Sequence, residues 1–185
     1  PYLEAPSVQS GRKGEFRLVY TGGLAPYKGV RTALQALRLL KEQGKAKGLK
    51  LTMVGSGHPD YEASLHQLAE DYCLSDQVIF YGRVPRDEIP RILAQHDVFL
   101  FTSIYEEPLA RSVMEAMAAG LVVIGTPVGG QQEMLVDGVN ALTYPPDDAV
   151  QLVNRILKLR RNSALLNRLA EAGRKTVLQR FTLKR

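Results

Sequence analysis

A doubly wound, parallel α/β sheet is the fold this sequence predicts. Apolar runs of four to seven residues alternate along the chain with amphipathic helical stretches. The runs are near-continuous in hydrophobicity, as strands buried on both faces are. Right-handed crossovers between such strands then wind helices over both faces of one sheet. At 185 residues the chain is long enough for one domain with a real core.

The elements follow in order. Residues 1–15 lack hydrophobic periodicity and read as a linker or ragged start. "FRLVYTG" (16–22) is a strand, and "VRTALQALRLLKEQG" (30–44) is a helix closed by Gly44. "LKLTMVG" (49–55) is a strand, followed by a helix over 60–72 with Asp60 as its cap. "DQVIFYG" (76–82) is a strand, 86–95 a short helix and "DVFLFTS" (97–103) a strand. A helix over 110–120 ends on Gly120, with Pro108 and Glu107 at its threshold. Strands at 121–126 and 140–145 come next, then helices over about 147–160 and 163–179.

Bulk properties exclude several classes. Lone Cys73 excludes an intramolecular disulfide, and no Cys/His cluster has metal-ligand spacing. No apolar run approaches a membrane span and no signal peptide opens the sequence, so a cytoplasmic location is expected. The net charge of +5 is uneven: residues 151–185 hold ten Lys/Arg against the single acid Glu171. A solvated helical face explains such a run best. Peripheral contact with anionic lipid is the minority reading, and nucleic acid is not expected because aromatics are not interleaved with the charges.

In a doubly wound sheet ligands sit over the carboxyl ends of the strands. The loop "TGGLAPYKG" (21–29) offers Gly22 and Gly23 for close backbone approach and Lys28 for an anion. It is not a Walker loop, since Gly29 follows Lys28 where Ser or Thr would stand. A plain strand-to-helix turn with a surface lysine is an equal alternative. "GSGHPD" (55–60) lacks the third glycine of a dinucleotide fingerprint. His58 reads as a turn residue, and His66 and His96 read as structural. After the third strand, Val84 and Ile89 could flank a flat heterocycle.

Glu107 and Glu115 stand eight residues apart. Along one helix that is about 12 Å, on the order of the distance between the two sugars of a nucleotide-diphosphate-sugar. The bland alternatives are a dipole role for Glu107 and an i,i+4 pair of Glu115 with Arg111.

Four stretches in this order carry a family likeness: "GGLAPYKG", "VGSGHPDYEASLHQLAEDYCLSDQVIFYGRV", "DVFLFTSIYEEPLARSVMEAMAAGLVVIGTPVGGQQEML" and "DGVNALTYPPDD". Together they resemble the carboxyl-terminal half of a GT-B glycosyltransferase, close to retaining family 4. The resemblance implies a donor nucleotide-sugar-binding domain over 16–182. Residues 1–15 would then be a linker from a missing amino-terminal acceptor domain, and 183–185 a truncated tail. It implies metal-independent, retaining transfer from a UDP- or GDP-sugar, with no cofactor. By the same resemblance Glu107 contacts the transferred sugar and is the catalytic candidate. Glu115 holds the ribose and Lys28 the diphosphate. The backbone of Leu109, Ala110 and Arg111 meets sugar and phosphate, and that of Arg83 and Val84 reads the base. Gly129 and Gly130 match a close-approach turn, and Glu133 a structural acid.

Two positions depart from the family pattern. Gly23 stands where an arginine is usual, and Ala110 where a glycine is usual. Arg111 is a candidate to supply the missing charge. A fragment with donor motifs alone is expected to bind a nucleotide diphosphate without transferring sugar. The alternative is a non-catalytic nucleotide-binding module that keeps the fold.

Overall fold

A computed structural model describes residues 14–180. The expected linker over 1–15 and tail over 183–185 fall almost wholly outside these residues. Six strands form one parallel sheet: β1 (Phe16–Thr21), β2 (Leu49–Val54), β3 (Val78–Gly82), β4 (Val98–Phe101), β5 (Val122–Gly125) and β6 (Leu142–Thr143). Their order across the sheet is β3-β2-β1-β4-β5-β6. The helices are α1 (Val30–Glu42), α2 (Pro59–Asp71), α3 (Ile89–Leu93), α4 (Arg111–Ala118), α5 (Gln131–Met134), α6 (Ala149–Arg160) and α7 (Ser163–Arg180). This is the doubly wound sheet the sequence predicts.

Successive strand residues point to opposite faces, and both faces are covered. Leu18, Tyr20, Leu51, Met53, Leu100 and Ile124 pack with α1, α2, α6 and α7. Val19, Val54, Phe99, Phe101 and Val123 pack with α3, α4 and α5 on the other face. Chain order reverses between β1 and β4, so the loops after these two strands diverge and leave a crevice at that switch point.

Element ends differ from expectation where tertiary contacts intervene. His58, not Asp60, caps α2, its ring accepting from the Asp60 amide at 3.4 Å. The helix expected over 86–95 divides into a tight 3-10 turn, Arg86–Glu88, and the short α3. Pro90 lies in the first turn of α3 and cannot donate back to the preceding residues. The last strand keeps only Leu142 and Thr143, which pair with Ile124 and Gly125. The helical turn α5 is an addition to the expected elements.

Three arginines of the basic end bond carbonyls of neighbouring segments. Arg155 reaches Thr143 O at 2.8 Å, Arg160 reaches Lys45 O at 2.6 Å and Arg168 reaches Gly138 O at 3.1 Å. These contacts suit a solvated surface on the domain. Among the described residues no helix is long and apolar enough to cross a membrane.

The "GSGHPD" glycines serve the fold. A Cβ on Gly55 would stand 1.8 Å from Gly22 O, and one on Gly57 1.7 Å from Leu24 O. The loop after β2 thus lies directly on the loop after β1, tied by Leu24 N to Ser56 O at 3.0 Å. Gly57→Ala should therefore destabilise by about 1–3 kcal/mol or more, a fall in Tm of at least about 2–4 °C. Gly23→Ala should leave Tm nearly unchanged, because its Cβ would meet nothing nearer than Ser56 O at 3.9 Å. Thermal denaturation of both variants checks the contrast.

His96 is buried between α3 and β2, with Nδ1 at 2.7 Å from Ile92 O and Nε2 at 2.9 Å from Thr52 Oγ1. A carbonyl only accepts, so Nδ1 carries the proton and Nε2 accepts from the threonine hydroxyl. Burial pushes its pKa below the usual 6.5. The unfolded chain therefore takes up a proton that the folded one refuses, and stability is lost as pH falls below about 6.5. Neighbouring Asp97, raised above 3.8 by burial, contributes in the opposite direction. Tm should drop more steeply from about pH 7 to about pH 5 in the wild type than in His96→Gln.

Candidate functional site

At the carboxyl ends of the strands lies a cleft of about 500 Å³. Its walls come from four segments. Thr21 ends β1 and Gly22 and Gly23 follow it, while Val54 ends β2 and Gly55 and Ser56 follow it. Arg83, Val84, Arg86 and Ile89 follow β3, and Arg111, Ser112 and Glu115 come from the first turns of α4. Three arginines face one carboxylate, so the cleft favours an anion. Val84 and Ile89 pack on the core beneath and give the wall an apolar patch.

The start of α4 opens into this cleft without a side-chain cap. Ala110 occupies the cap position, and the Val113 and Met114 amides share its carbonyl at 3.1 and 3.3 Å. The Arg111 and Ser112 amides donate to no protein group among the described residues. Free amides at a helix start, with the dipole behind them, bind anions such as phosphate. Glu115 lies in the second turn, only 15% exposed, and faces Arg86 at 3.5 Å. The alternative Glu115–Arg111 pair is not formed; the carboxylate faces an arginine from the segment after β3 instead.

Glu107 and Lys28 meet beside the cleft. Lys28 Nζ stands 2.5 Å from Glu107 Oε2, and both side chains are mostly buried. The Ser103 hydroxyl donates to the other carboxylate oxygen. Lys28 also lies 5.4 Å from the centre of the Tyr27 ring. Its carbonyl accepts from Thr102 Oγ1 at 2.7 Å, which anchors the β1 loop to the end of β4. Tyr20 donates to Gly23 O at 2.8 Å. Burial, reinforced by the Glu107 charge, drives its hydroxyl pKa well above the usual 10.0.

One expectation is corrected here. Glu107 and Pro108 are not the threshold of α4, which begins at Arg111. Glu107 O accepts from Gly130 N at 2.8 Å and Pro108 O from Gln131 Nε2 at 3.1 Å. Both carbonyls are directed to the turn after β5 rather than to amides of α4, so neither residue joins its first turn. The two glutamates are thus not joined by eight helical steps, and the helical estimate of their separation does not apply.

Seven of the residues singled out in the sequence line the cleft: Gly22, Gly23, Arg83, Val84, Ile89, Arg111 and Glu115. Lys28 and Glu107 pair next to it, while Leu109 and Ala110 link that pair to α4 and rest on the core. Gly129 and Gly130 press on the Glu107–Leu109 backbone from behind: a Cβ on Gly129 would stand 2.2 Å from Glu107 O. Glu133 is exposed on α5. Sequence reasoning missed Arg86, Ser103 and Gln131. A basic residue in the loop after β3 was a signal for Arg86; nothing local marked the other two. Among the described residues, no three His, Cys, Asp or Glu side chains gather as metal ligands.

Residues 4–176 match the family described as glycosyl transferases group 1. AmsK of Erwinia amylovora, an amylovoran biosynthesis glycosyltransferase, is 33% identical over 153 residues, covering 80% of this chain and 37% of that protein. EpsD of Bacillus subtilis, a putative glycosyltransferase by name, is 33% identical over 168 residues, covering 91% of this chain and 42% of that one. The chain therefore spans less than half the length of these relatives. The crystal structure of Anabaena HepE in complex with UDP-glucose superposes with a TM-score of 0.84 at 28% identity, over 90% of this chain and 45% of that chain. A carboxyl-terminal domain of LpcC, a group 1 glycosyl transferase from Francisella tularensis, gives 0.83 at 25% identity, over 92% of this chain and 88% of that one.

The Lys28–Glu107 contact should show as energetic coupling. Two partly buried charges in one hydrogen-bonded network typically couple by about 0.5–3 kcal/mol. Lys28→Met and Glu107→Gln should each lower stability, and the double variant should lose less than their sum. Denaturant unfolding of the four proteins measures the cycle, and strict additivity would mean the contact is energetically idle.

Proposed function

Because the chain belongs to the glycosyl transferases group 1 family, we propose that it is the donor-binding domain of a retaining, metal-independent glycosyltransferase. Its donor is a UDP- or GDP-sugar, and its acceptor domain is an amino-terminal part of the same polypeptide. The enzyme works on the cytoplasmic side, with peripheral membrane contact through α6 and α7 as the lesser reading. The observation that carries the proposal is the uncapped start of α4, which opens into a cleft lined by Arg83, Arg86 and Arg111. Such a site suits a diphosphate.

The other parts of a donor fit around it. Val84 and Ile89 offer an apolar wall for the base, with the neighbouring backbone free to read its edge. Glu115 accepts from the ribose hydroxyls. Arg86 must share that carboxylate with the ribose, since it faces Glu115 at 3.5 Å. Lys28 and the α4 amides stabilise charge as it develops on the leaving diphosphate. Glu107 orients the transferred sugar and favours its cation-like transition state. Its pairing with Lys28 keeps both charges partly neutralised until a phosphate draws the lysine away. The cations lining the cleft also compensate for Gly23, where the family usually has an arginine, and Arg111, at the start of α4, is the candidate substitute.

Thermal-shift screening against UDP-, GDP- and ADP-sugars tests the class, because a ligand that binds the folded state raises Tm. The 185-residue chain should bind one of them and transfer no sugar. The two glutamates should then separate by ligand. Glu115→Gln should weaken both free nucleotide and nucleotide-sugar, since each carries the ribose. Glu107→Gln should weaken mainly the nucleotide-sugar. Hydrogen bonds to charged groups contribute about 1.5–3 kcal/mol, so losses of roughly ten-fold or more are expected. Calorimetry on wild type, both single variants and the double decides it. Identical profiles for the two single variants would contradict the assignment.

A further inference from the structure

We propose that Gln131 is a positioning residue of this site. Its buried amide orients the Pro108–Leu109 peptide so that the Leu109 N–H faces the bound donor. The inference rests on the donor-binding reading above and extends it to a residue with no local signal in the sequence.

Gln131 is fully buried at the start of α5. Its Nε2 donates to Pro108 O at 3.1 Å, while its Oε1 has no hydrogen-bond partner among the described residues. A buried acceptor left unpaired costs stability, so an amide is a poor choice for packing alone. What it supplies is one directed donor. No peptide bond among the described residues is cis, and in a trans peptide the carbonyl and the amide hydrogen point in opposite directions. Holding the Pro108 carbonyl toward Gln131 therefore turns the Leu109 N–H away from it.

The neighbouring peptides make that orientation useful. Glu107 O is held by Gly130 N at 2.8 Å, so two consecutive carbonyls are tied to the same turn. The amides of Leu109, Ala110, Arg111 and Ser112 then run on with no acceptor among the described residues. Two of these residues, Arg111 and Ser112, line the cleft. A run of free amides leading into a helix start is a receptor for phosphate or sugar oxygens. Gln131 holds the first of them through a single bond, and Gly130 allows the approach, since a Cβ there would stand 2.9 Å from Leu109 N.

UDP and UDP-glucose are the probes, with affinities measured by calorimetry on the full chain. Gln131→Met keeps the volume and removes the donor. It should weaken UDP-glucose by about ten-fold, with Tm little changed, because loss of the unpaired Oε1 offsets the Pro108 carbonyl left without its donor. Gln131→Glu adds a readout that a packing role would not move. Its carboxyl, raised by burial, donates to Pro108 O when protonated and cannot when ionised. Its affinity relative to wild type should therefore recover as pH falls from about 8 to about 5. Taking the ratio to wild type at each pH cancels the titration of the ligand itself. If the Met variant fails to fold, the Glu variant alone decides. Wild-type binding with an unchanged Met variant, or a Glu-to-wild-type ratio flat across that pH range, overturns the inference and leaves the donor-binding reading standing. A wild type that binds a GDP- or ADP-sugar instead takes that donor as its probe, and failure to bind any of the three overturns both.

Discussion

Backbone-to-backbone contact between the turn after β5 and the loop after β4 is the constraint on which the site depends. Gly129 and Gly130 bring that turn so close to Glu107–Leu109 that a methyl group on Gly129 would collide with the Glu107 carbonyl. The contact takes up the carbonyls of Glu107 and Pro108 and delays the start of α4 to Arg111. Helix α4 consequently begins without a cap, and its amides remain available. The same contact holds Glu107 outside the helix, where its carboxylate can reach Lys28 on the β1 loop and Ser103 at the end of β4. Move that turn by the width of a methyl group and the ion pair, the free amides and the cleft wall would all shift together.

Electrostatics then divides the site into two regions. In the cleft, three arginines outweigh Glu115, leaving net positive charge beside an uncapped helix start. Beside it, Lys28 and Glu107 nearly cancel, and their burial makes the interaction stronger than an exposed pair would be. An anion is therefore attracted first to the arginines and α4, and only secondarily to Lys28. This ordering accommodates Gly23: with no arginine on the β1 loop, the cationic charge of the cleft comes from the segment after β3 and from α4.

A second close approach supports the opposite wall. Gly55 and Gly57 let the loop after β2 lie against the loop after β1, and Leu24 completes the contact through Ser56 O. A Gly-x-Gly sequence at a strand end suggests phosphate binding, but here these glycines meet protein backbone. The physical need is the same in both cases, an approach closer than a Cβ permits.

The sequence by itself determined the sheet, its helices and the family likeness, because the apolar periods and helix-closing glycines are local signals. Gly44 and Gly120 close α1 and α4 with the amide-to-carbonyl bonds that such glycines permit. Most of the cleft was also legible, since the residues that end parallel strands converge on one side of the sheet whatever their neighbours. Only the tertiary structure decided where α4 begins, which partner Glu115 takes and that Lys28 pairs with Glu107. Each of these depends on residues far apart in the chain: Gly130 on Glu107, Arg86 on Glu115, Lys28 across 79 positions to Glu107. Helical periodicity reports which face of a segment is apolar. It carries no information on whether a distant turn has already directed elsewhere the carbonyls that the first helical turn would need.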